Sequence, residues 1–447
     1  MRKVLIANRG EIALRAIRAC RKNGLSSVAV YSTADAASPH VFAADEAVCI
    51  GPQSPRDSYL VADNLIETAL GTGCDAVYPG YGFLAENADF AEQCVRRGLV
   101  FVGPQAESIR LMGDKASARK TVERLGVPVV PGSPNAFTSL DAARPAAEEI
   151  GFPLLIKASA GGGGRGMRVA RSLDEFDRLF EQANAEAEAA FGNGELYLER
   201  FFDRVRHIEI QVFGDSHGGA RHLWERDCSV QRRHQKLVEE APSPVLGNAT
   251  RRQMAEAALA IVEGIGYRNA GTIEFIYDMA SGEFFFIEMN TRIQVEHPVT
   301  EMLTHTDLVA EQFRVAAGKR LRLPPLKRLP RGSFIEWRIC AEDPANNFMP
   351  AAGRVKALER PDGPGVRFDT HVYPGYEIPP YYDSMIGKLI AGGDNRKQAI
   401  SNSAHALRAL VIDGVKTTIP FHLDILAHED FLDGSIHTRW IEDQLGT

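Results

Sequence analysis

Cysteine is scarce in this chain of 447 residues. Cys20, Cys49, Cys74, Cys94, Cys228 and Cys340 lie far apart, with no C-x-x-C pair and no Cys/His cluster at zinc spacing. That excludes a disulfide framework and a structural zinc site, so reduced and mostly buried thiols are expected. No apolar run reaches membrane-spanning length. The strand-like stretch Lys3 to Asn8 starts so close to Met1 that no signal peptide is expected, and a cytoplasmic location follows. Positive charge is also short: 51 Lys and Arg face 58 Asp and Glu, a formal charge of -7, which argues against nucleic-acid binding. Internal repeats and low-complexity tails are missing too.

What is present is length enough for several cores, since single cores stop growing beyond roughly 250 to 300 residues. From residue 3 to about 103, strand-like runs at Val4 to Ala7, Val28 to Tyr31, Val48 to Ile50, Ala76 to Tyr78 and Val100 to Val102 alternate with helical patterns such as Glu11 to Lys22. This rhythm predicts a parallel, doubly wound α/β sheet. Gly71-Thr-Gly73-Cys-Asp-Ala76 fits dinucleotide spacing but precedes a strand instead of following one, so it is rejected. A mixed α+β segment spans roughly 113 to 318. A basic, proline-bearing connector (319–331) then leads to a third segment, from about 332, that ends in helical patterns.

The chemistry concentrates in the middle segment. Glu288, Asn290, Arg292, Gln294 and Glu296 occupy every second position, so an extended stretch would carry five polar groups on one face. Upstream, Thr272 to Tyr277 and Glu283 to Glu288 flank a turn-rich Asp278-Met-Ala-Ser-Gly282 and predict a hairpin. Centred on Ser281, it sets Glu274 opposite Glu288. Two facing carboxylates about 5 Å apart repel unless a cation lies between them, and hard oxygen donors suit magnesium. The alternative is a solvated edge in a slipped register.

Residues 152–170 read as a glycine loop between strands, with Lys157 ending the first. A strand follows Gly161 to Gly166 and no Gly-Lys-Ser/Thr does, so neither a dinucleotide fingerprint nor a Walker loop applies. Such a flap can close over nucleotide phosphates, or it is a plain surface turn. Arg226 to Lys236 packs four cationic residues and His234 together. By itself that reads as a solvated face, unless Lys236 and Arg292 converge on an anion.

These motifs, taken in order, resemble biotin carboxylase, the ATP-grasp subunit of acyl-CoA carboxylases. The resemblance runs end to end: Ile6 to Ala13, Tyr78 to Asn87, Met112 to Lys115, the glycine flap, Glu225 to Ser229, Gln231 to Lys236, Glu288 to Glu301 and Pro379 to Met385. It implies an N-terminal Rossmann-like domain (1–112), an ATP-grasp core (113–318) with a mobile lid at about 130–203, and a C-terminal biotin carboxylase domain (332–447). It further implies that Lys115, Lys157, Gly162, Gly163 and Gly164 hold ATP phosphates and that Glu199 meets the adenine. His207, Gln231 and His234 would lie near the nucleotide. Glu274, Glu288 and Asn290 would hold Mg2+, or Mn2+. Lys236, Arg292, Gln294 and the Val295 N–H would bind bicarbonate, with Glu296 as the base. Arg338 would stabilise the enolate of carrier-linked biotin, and Tyr81 with Gly82 would seat its ureido ring.

Four positions depart from the family pattern: Ala160 and His305 replace glycines, Val205 a proline and Arg200 a lysine. No Met-Lys-Met biotinyl motif is found, so a separate biotin carboxyl carrier protein and a separate carboxyltransferase are expected, along with a homodimer. Val372 to Tyr382 leans towards acetyl-CoA as the final acceptor. Two other readings compete. Another ATP-grasp ligase would share the flap and paired acids without a reason for Arg292 to Glu296 and Arg338, and a nucleotide sensor would bind ATP without turnover.

Overall fold

The computed structural model describes residues 1–158, 168–191, 193–325 and 328–446. Gly162, Gly163, Gly164 and Ala160 lie outside the described residues.

The first segment folds as the sequence rhythm requires. Strands β1 (Lys3–Ile6), β2 (Ser26–Ser32), β3 (Glu46–Gly51), β4 (Ala76–Tyr78) and β5 (Val100–Phe101) form a parallel sheet in the order β3-β2-β1-β4-β5. Both faces are covered, so Val4, Leu5, Ile6, Val28 and Val30 are all fully buried, as continuous apolar runs in parallel strands should be. Gly71 and Gly73 sit at the end of the helix before β4, in the turn that feeds it.

A small antiparallel sheet follows, with β6 (Leu154–Ala158) between β7 (Arg168–Ala170) and β8 (Leu196–Arg200). The long helix Leu173–Phe191 covers it, burying Phe176, Phe180 and Ala183 against Leu154, Ile156 and Leu198.

The largest element is an eight-stranded sheet that joins the second and third segments. Its members are β9 (Val205–Gly214), β10 (Ala220–Arg232), β11 (Gln235–Ala241), β12 (Asn269–Asp278), β13 (Phe284–Asn290), β14 (Ser333–Cys340), β15 (Val366–Thr370) and β16 (Met385–Gly393). Their order is β13-β12-β9-β10-β11-β14-β16-β15. On one face Ile208, Ile210 and Val212 pack against Met254, Ala258 and Ile261 of the helix Asn248–Gly264. Further along, Ile335, Trp337 and Ile339 pack against Ala399 and Leu407 of the helix Arg396–Ala409. The intervening residues, among them His207, Glu209, Gln211, Glu336 and Arg338, point to the other face by the two-residue period of a strand.

The basic connector is packed down: Leu321 and Leu323 join a core with Phe213 and Leu223, and the Leu321 N–H donates to Asp215. His305 ends the helix His297–Thr304 with φ 53, a left-handed residue, which explains why glycine suits the position. Arg200 Nη1 donates to the Ile150 carbonyl at 3.2 Å.

Candidate active site

Cross-strand register builds the floor of the site. Arg226 on β10 pairs with Glu209 on β9, Glu209 with Glu274 on β12, and Glu274 with Glu288 on β13, so four charged residues run side by side across the sheet. Beside them Gln211, Thr272 and Asn290 form a second row. The hairpin register expected from the sequence is therefore present, with a bulge just beyond it between Glu274 and Phe275. The expected extended face is shorter than the alternation suggested. β13 stops at Asn290, and Arg292, Gln294 and Glu296 enter the site from a loop whose last residue precedes the helix His297–Thr304. Alternation persists in that loop because Ile293 and Gln294 are both buried between layers.

Lys236 is the hub. Its ammonium donates to Glu209 Oε2 at 2.7 Å, Glu274 Oε1 at 2.9 Å and Glu296 Oε1 at 2.9 Å. Burial would discharge it, but Glu209, Glu296 and Glu274 hold it firmly protonated. The same cations act on the acids. Burial alone would raise Glu296, yet Lys236, Arg338 and Arg226 hold its carboxyl well below the usual range. Glu274 is likewise depressed against burial, by Lys236 and His207. Glu288 moves the other way, raised by burial and by the facing Glu274, with Lys115 only at 4.0 Å. That contrast is the electrostatic signature of two carboxylates short of one positive charge.

Around the hub, Arg338 Nη2 donates to Glu296 Oε2 at 3.0 Å. Gln294 Nε2 and Asn290 Nδ2 each donate to Glu274 Oε1 at 2.8 Å. Arg292 donates to Glu86 at 2.9 Å and Asn290 at 3.0 Å. The Val295 carbonyl accepts from Lys388 Nζ at 2.8 Å.

A cleft of about 1120 Å³ gathers nearly all the expected residues in one wall: Lys236, Glu274, Glu288, Asn290, Arg292, Gln294, Val295, Glu296 and Arg338. Lys115, His207, Gln231 and His234 line it as well, and Tyr81 and Gly82 close one side. Gln231 Nε2 contacts His207 Nδ1 at 2.9 Å. His234 is exposed at the tight turn between β10 and β11, with φ 65. Lys157 and Glu199 are not among the described residues lining the cleft; they pair with each other on the small sheet. The basic run is solvated only at its turn, where Arg233 and His234 are exposed: Arg226 is fully buried, its Nε bonded to Glu209 and its Nη2 to Gln294 Oε1 at 2.8 Å.

Among the described residues two groups bring their ligand atoms within 4.8 Å of one another, His207, Glu209 and Glu274, and Glu209, Cys228 and Glu296. Lys236 bridges Glu209, Glu274 and Glu296, whereas Glu288 has Lys115 only at 4.0 Å, so the Glu274, Glu288 and Asn290 edge is where a divalent cation could be held.

Residues 1–109 match the family profile described as biotin carboxylase, N-terminal domain, and 336–443 that of the biotin carboxylase C-terminal domain. Residues 114–323 match the carbamoyl-phosphate synthase L chain, ATP binding domain. The biotin carboxylase of Nostoc sp. is 53% identical over 99% of this chain and 98% of that protein. The chain belongs to the biotin carboxylase family. The family extends to a pyruvate carboxylase subunit of Methanothermobacter thermautotrophicus, 49% identical over 99% of this chain and 89% of that protein. Among solved biotin carboxylases, the domain dimer of the Hydrogenobacter thermophilus 2-oxoglutarate carboxylase, in complex with MgADP, ADP and bicarbonate, aligns with TM-score 0.89 and 48% identity. The match covers 99% of this chain and 98% of that one.

Four charged residues that hold the side chains of this cleft belong to none of the motifs quoted above: Glu209, Glu239, Glu336 and Lys388. A signal existed for two of the strands. His207-Ile-Glu-Ile-Gln-Val212 and Ile335-Glu-Trp-Arg-Ile339 alternate polar and apolar residues at the strand period. Lys388 carries no such pattern, whereas Glu86 lies within the Tyr78 to Asn87 motif.

Proposed function

We propose that the chain carboxylates biotin at the expense of ATP and bicarbonate, through carboxyphosphate, giving N-carboxybiotin, ADP and phosphate. The convergence of Lys236 and Arg338 on Glu296, in the same cleft as Arg292 and the facing Glu274 and Glu288, carries this reading.

Lys115, Lys157, Gly162, Gly163 and Gly164 would hold the phosphates, with Glu199, His207, Gln231 and His234 on the nucleoside side. Glu274, Glu288 and Asn290 would hold magnesium or manganese, which when bound neutralises charge on the phosphate oxygens. Bicarbonate would lie among Lys236, Arg292, Gln294 and the Val295 N–H. Glu296 takes its proton, a bicarbonate oxygen attacks the γ-phosphorus, and the bond to ADP breaks. A carboxylate held so far below its ordinary pKa is a weak base. It gains strength when the arriving anion claims part of the positive charge of Lys236 and Arg338. Carboxyphosphate then cleaves to carbon dioxide and phosphate. Phosphate removes the biotin N–H proton, and the nitrogen attacks carbon dioxide. Arg338 stabilises the enolate oxygen, and Tyr81 and Gly82 seat the ring.

We assign the division into 1–112, 113–318 with a lid at about 130–203, and 332–447 to these tasks. The partners are a separate biotin carboxyl carrier protein and a carboxyltransferase, with a homodimer as the working unit, the assembly described for the Hydrogenobacter domain. Acetyl-CoA carboxylase, the first step of fatty acid synthesis, is the preferred setting. A 2-oxo acid carboxylase is the second reading, supported by the Methanothermobacter and Hydrogenobacter relatives. No helix of the described residues is long and apolar enough to cross a membrane. The deciding experiment is ADP release from magnesium-ATP with bicarbonate and biotin omitted in turn. Dependence on both is expected, and turnover indifferent to biotin would sink the proposal.

A further inference from the structure

Arg338 has a second partner that the proposed reaction leaves unused. Its Nε donates to Glu239 Oε1 at 2.6 Å, and Glu239 stands in register with Glu336 across the β11–β14 ladder. Opposed residues of an antiparallel ladder share a face, with Cβ atoms about 5 Å apart. Both acids are 0% exposed. Neither oxygen of Glu336, nor Glu239 Oε2, has a hydrogen-bond partner among the described residues. A buried ionised carboxylate without a donor is strongly disfavoured.

The neighbouring charges do not supply one. Arg338 is shared between Glu239 and Glu296. On β16, Lys388 is opposite Arg338 and is already bound to Glu11 at 2.9 Å and the Val295 carbonyl. Lys236 is taken by Glu209, Glu274 and Glu296. Tyr81 donates to Glu11. His297, on the helix packed against β14, is kept neutral by burial and by Lys388. Counted through these contacts, Glu11, Glu209, Glu239, Glu274, Glu296 and Glu336 meet Arg226, Lys236, Arg338 and Lys388, six acids against four cations.

We propose that Glu336 carries a proton shared with Glu239, and that this carboxyl pair is a positioning device for Arg338 in the biotin half of the reaction. The inference rests on the reading of Arg338 given above. Burial pushes the Glu239 carboxyl up to about 7 despite Arg338. It pushes Glu336 well above the usual range despite Lys388, with Glu239 adding to the shift. With Glu336 neutral, Glu239 gives Arg338 one full counter-charge that persists when Glu296 takes a proton. Loss of the shared proton adds a second negative charge beside the guanidinium and draws it away from biotin.

The test has two arms. A carboxyl whose folded-state pKa is raised costs stability as pH climbs from its ordinary value of 4.5 towards the raised one. Glu336→Gln removes that loss, so its melting temperature relative to the wild type should climb as the pH rises above 4.5. A gap that stays flat or shrinks overturns the shared proton. In biotin-dependent ADP release, Glu336→Ala and Glu239→Gln should raise the KM for biotin roughly ten- to hundredfold, the scale of a lost charged hydrogen bond, and leave the KM for ATP within about twofold. Glu336→Gln should rescue the Glu336→Ala defect. Equal damage from Gln and Ala, or parallel effects on ATP and biotin, overturns the positioning role. Wild-type turnover indifferent to biotin removes that role together with the reading it rests on, whereas the melting arm decides the proton independently.

Discussion

The two main sheets of this protein use burial for opposite ends. In the five-stranded parallel sheet Leu5, Val28, Val30 and Val77 meet one apolar layer, and Val4, Ile6, Ala76 and Tyr78 meet another. In the eight-stranded sheet only one face is a core of that kind. The other buries Glu209, Gln211, Glu274, Glu336 and Lys388 and half-buries His207 and Arg338, in a network of ion pairs and hydrogen bonds. Desolvated charge is costly, and a site that needs strong fields is one place where it is worth keeping. The parallel sheet therefore works as scaffold, and the charged face of the large sheet as machinery.

If that division is right, disturbing the charged face should separate function from stability most sharply at Glu296. We expect Glu296→Ala to lower bicarbonate-dependent ADP release about a thousandfold, the scale of a general base, while ATP still binds. Single-turnover assays beside nucleotide titration would check this, and normal turnover in the variant would remove the mechanism. Lys236→Met tests the hub in a different way. It leaves Glu209, Glu274 and Glu296 without their shared cation, so about 3 to 5 kcal/mol of stability should disappear along with most turnover. Urea unfolding would show it, and an unchanged midpoint would mean that the carboxylates are neutralised by other means.

The scaffold sheet predicts the reverse pattern. Leu5→Ala removes a fully buried side chain from an apolar layer and should cost about 2 to 5 kcal/mol. The turnover of the molecules that remain folded should match the wild type. A fall in turnover per folded molecule would blur the comparison, because it would tie the scaffold layer to the geometry of the cleft.

The same contrast explains what could be read in advance. Parallel strands buried on both faces write themselves as apolar runs, so β1, β2 and β4 were legible to within two residues, and the more exposed edge strand β3 only over its central Val48 to Ile50. The hairpin was legible because its length fixed the facing of Glu274 and Glu288. The stretch after Asn290 was over-read as strand, since a loop packed between two layers alternates in composition as a strand does. The run from Arg226 to Lys236 was under-read. Whether a cation is solvated depends on acids that arrive from elsewhere in the chain, and the partner of Arg226 is Glu209 on a neighbouring strand. Lys388 and Glu11 meet across hundreds of residues with no local pattern to announce them.

Glu86 marks where the machinery thins out into ordinary surface. It receives the Arg292 Nε at 2.9 Å and the Thr291 N–H at 3.1 Å, but its side chain is 41% exposed. A pair so open to water is screened and contributes at most about 1 kcal/mol. Glu86→Gln should therefore leave the melting temperature nearly unchanged. Its effect should fall on the bicarbonate KM, raised a few-fold because Arg292 loses the partner that aims it. If the KM for bicarbonate does not move, Asn290 and the Ile293 carbonyl set the Arg292 orientation, and the functional edge of the charged face lies one residue further in.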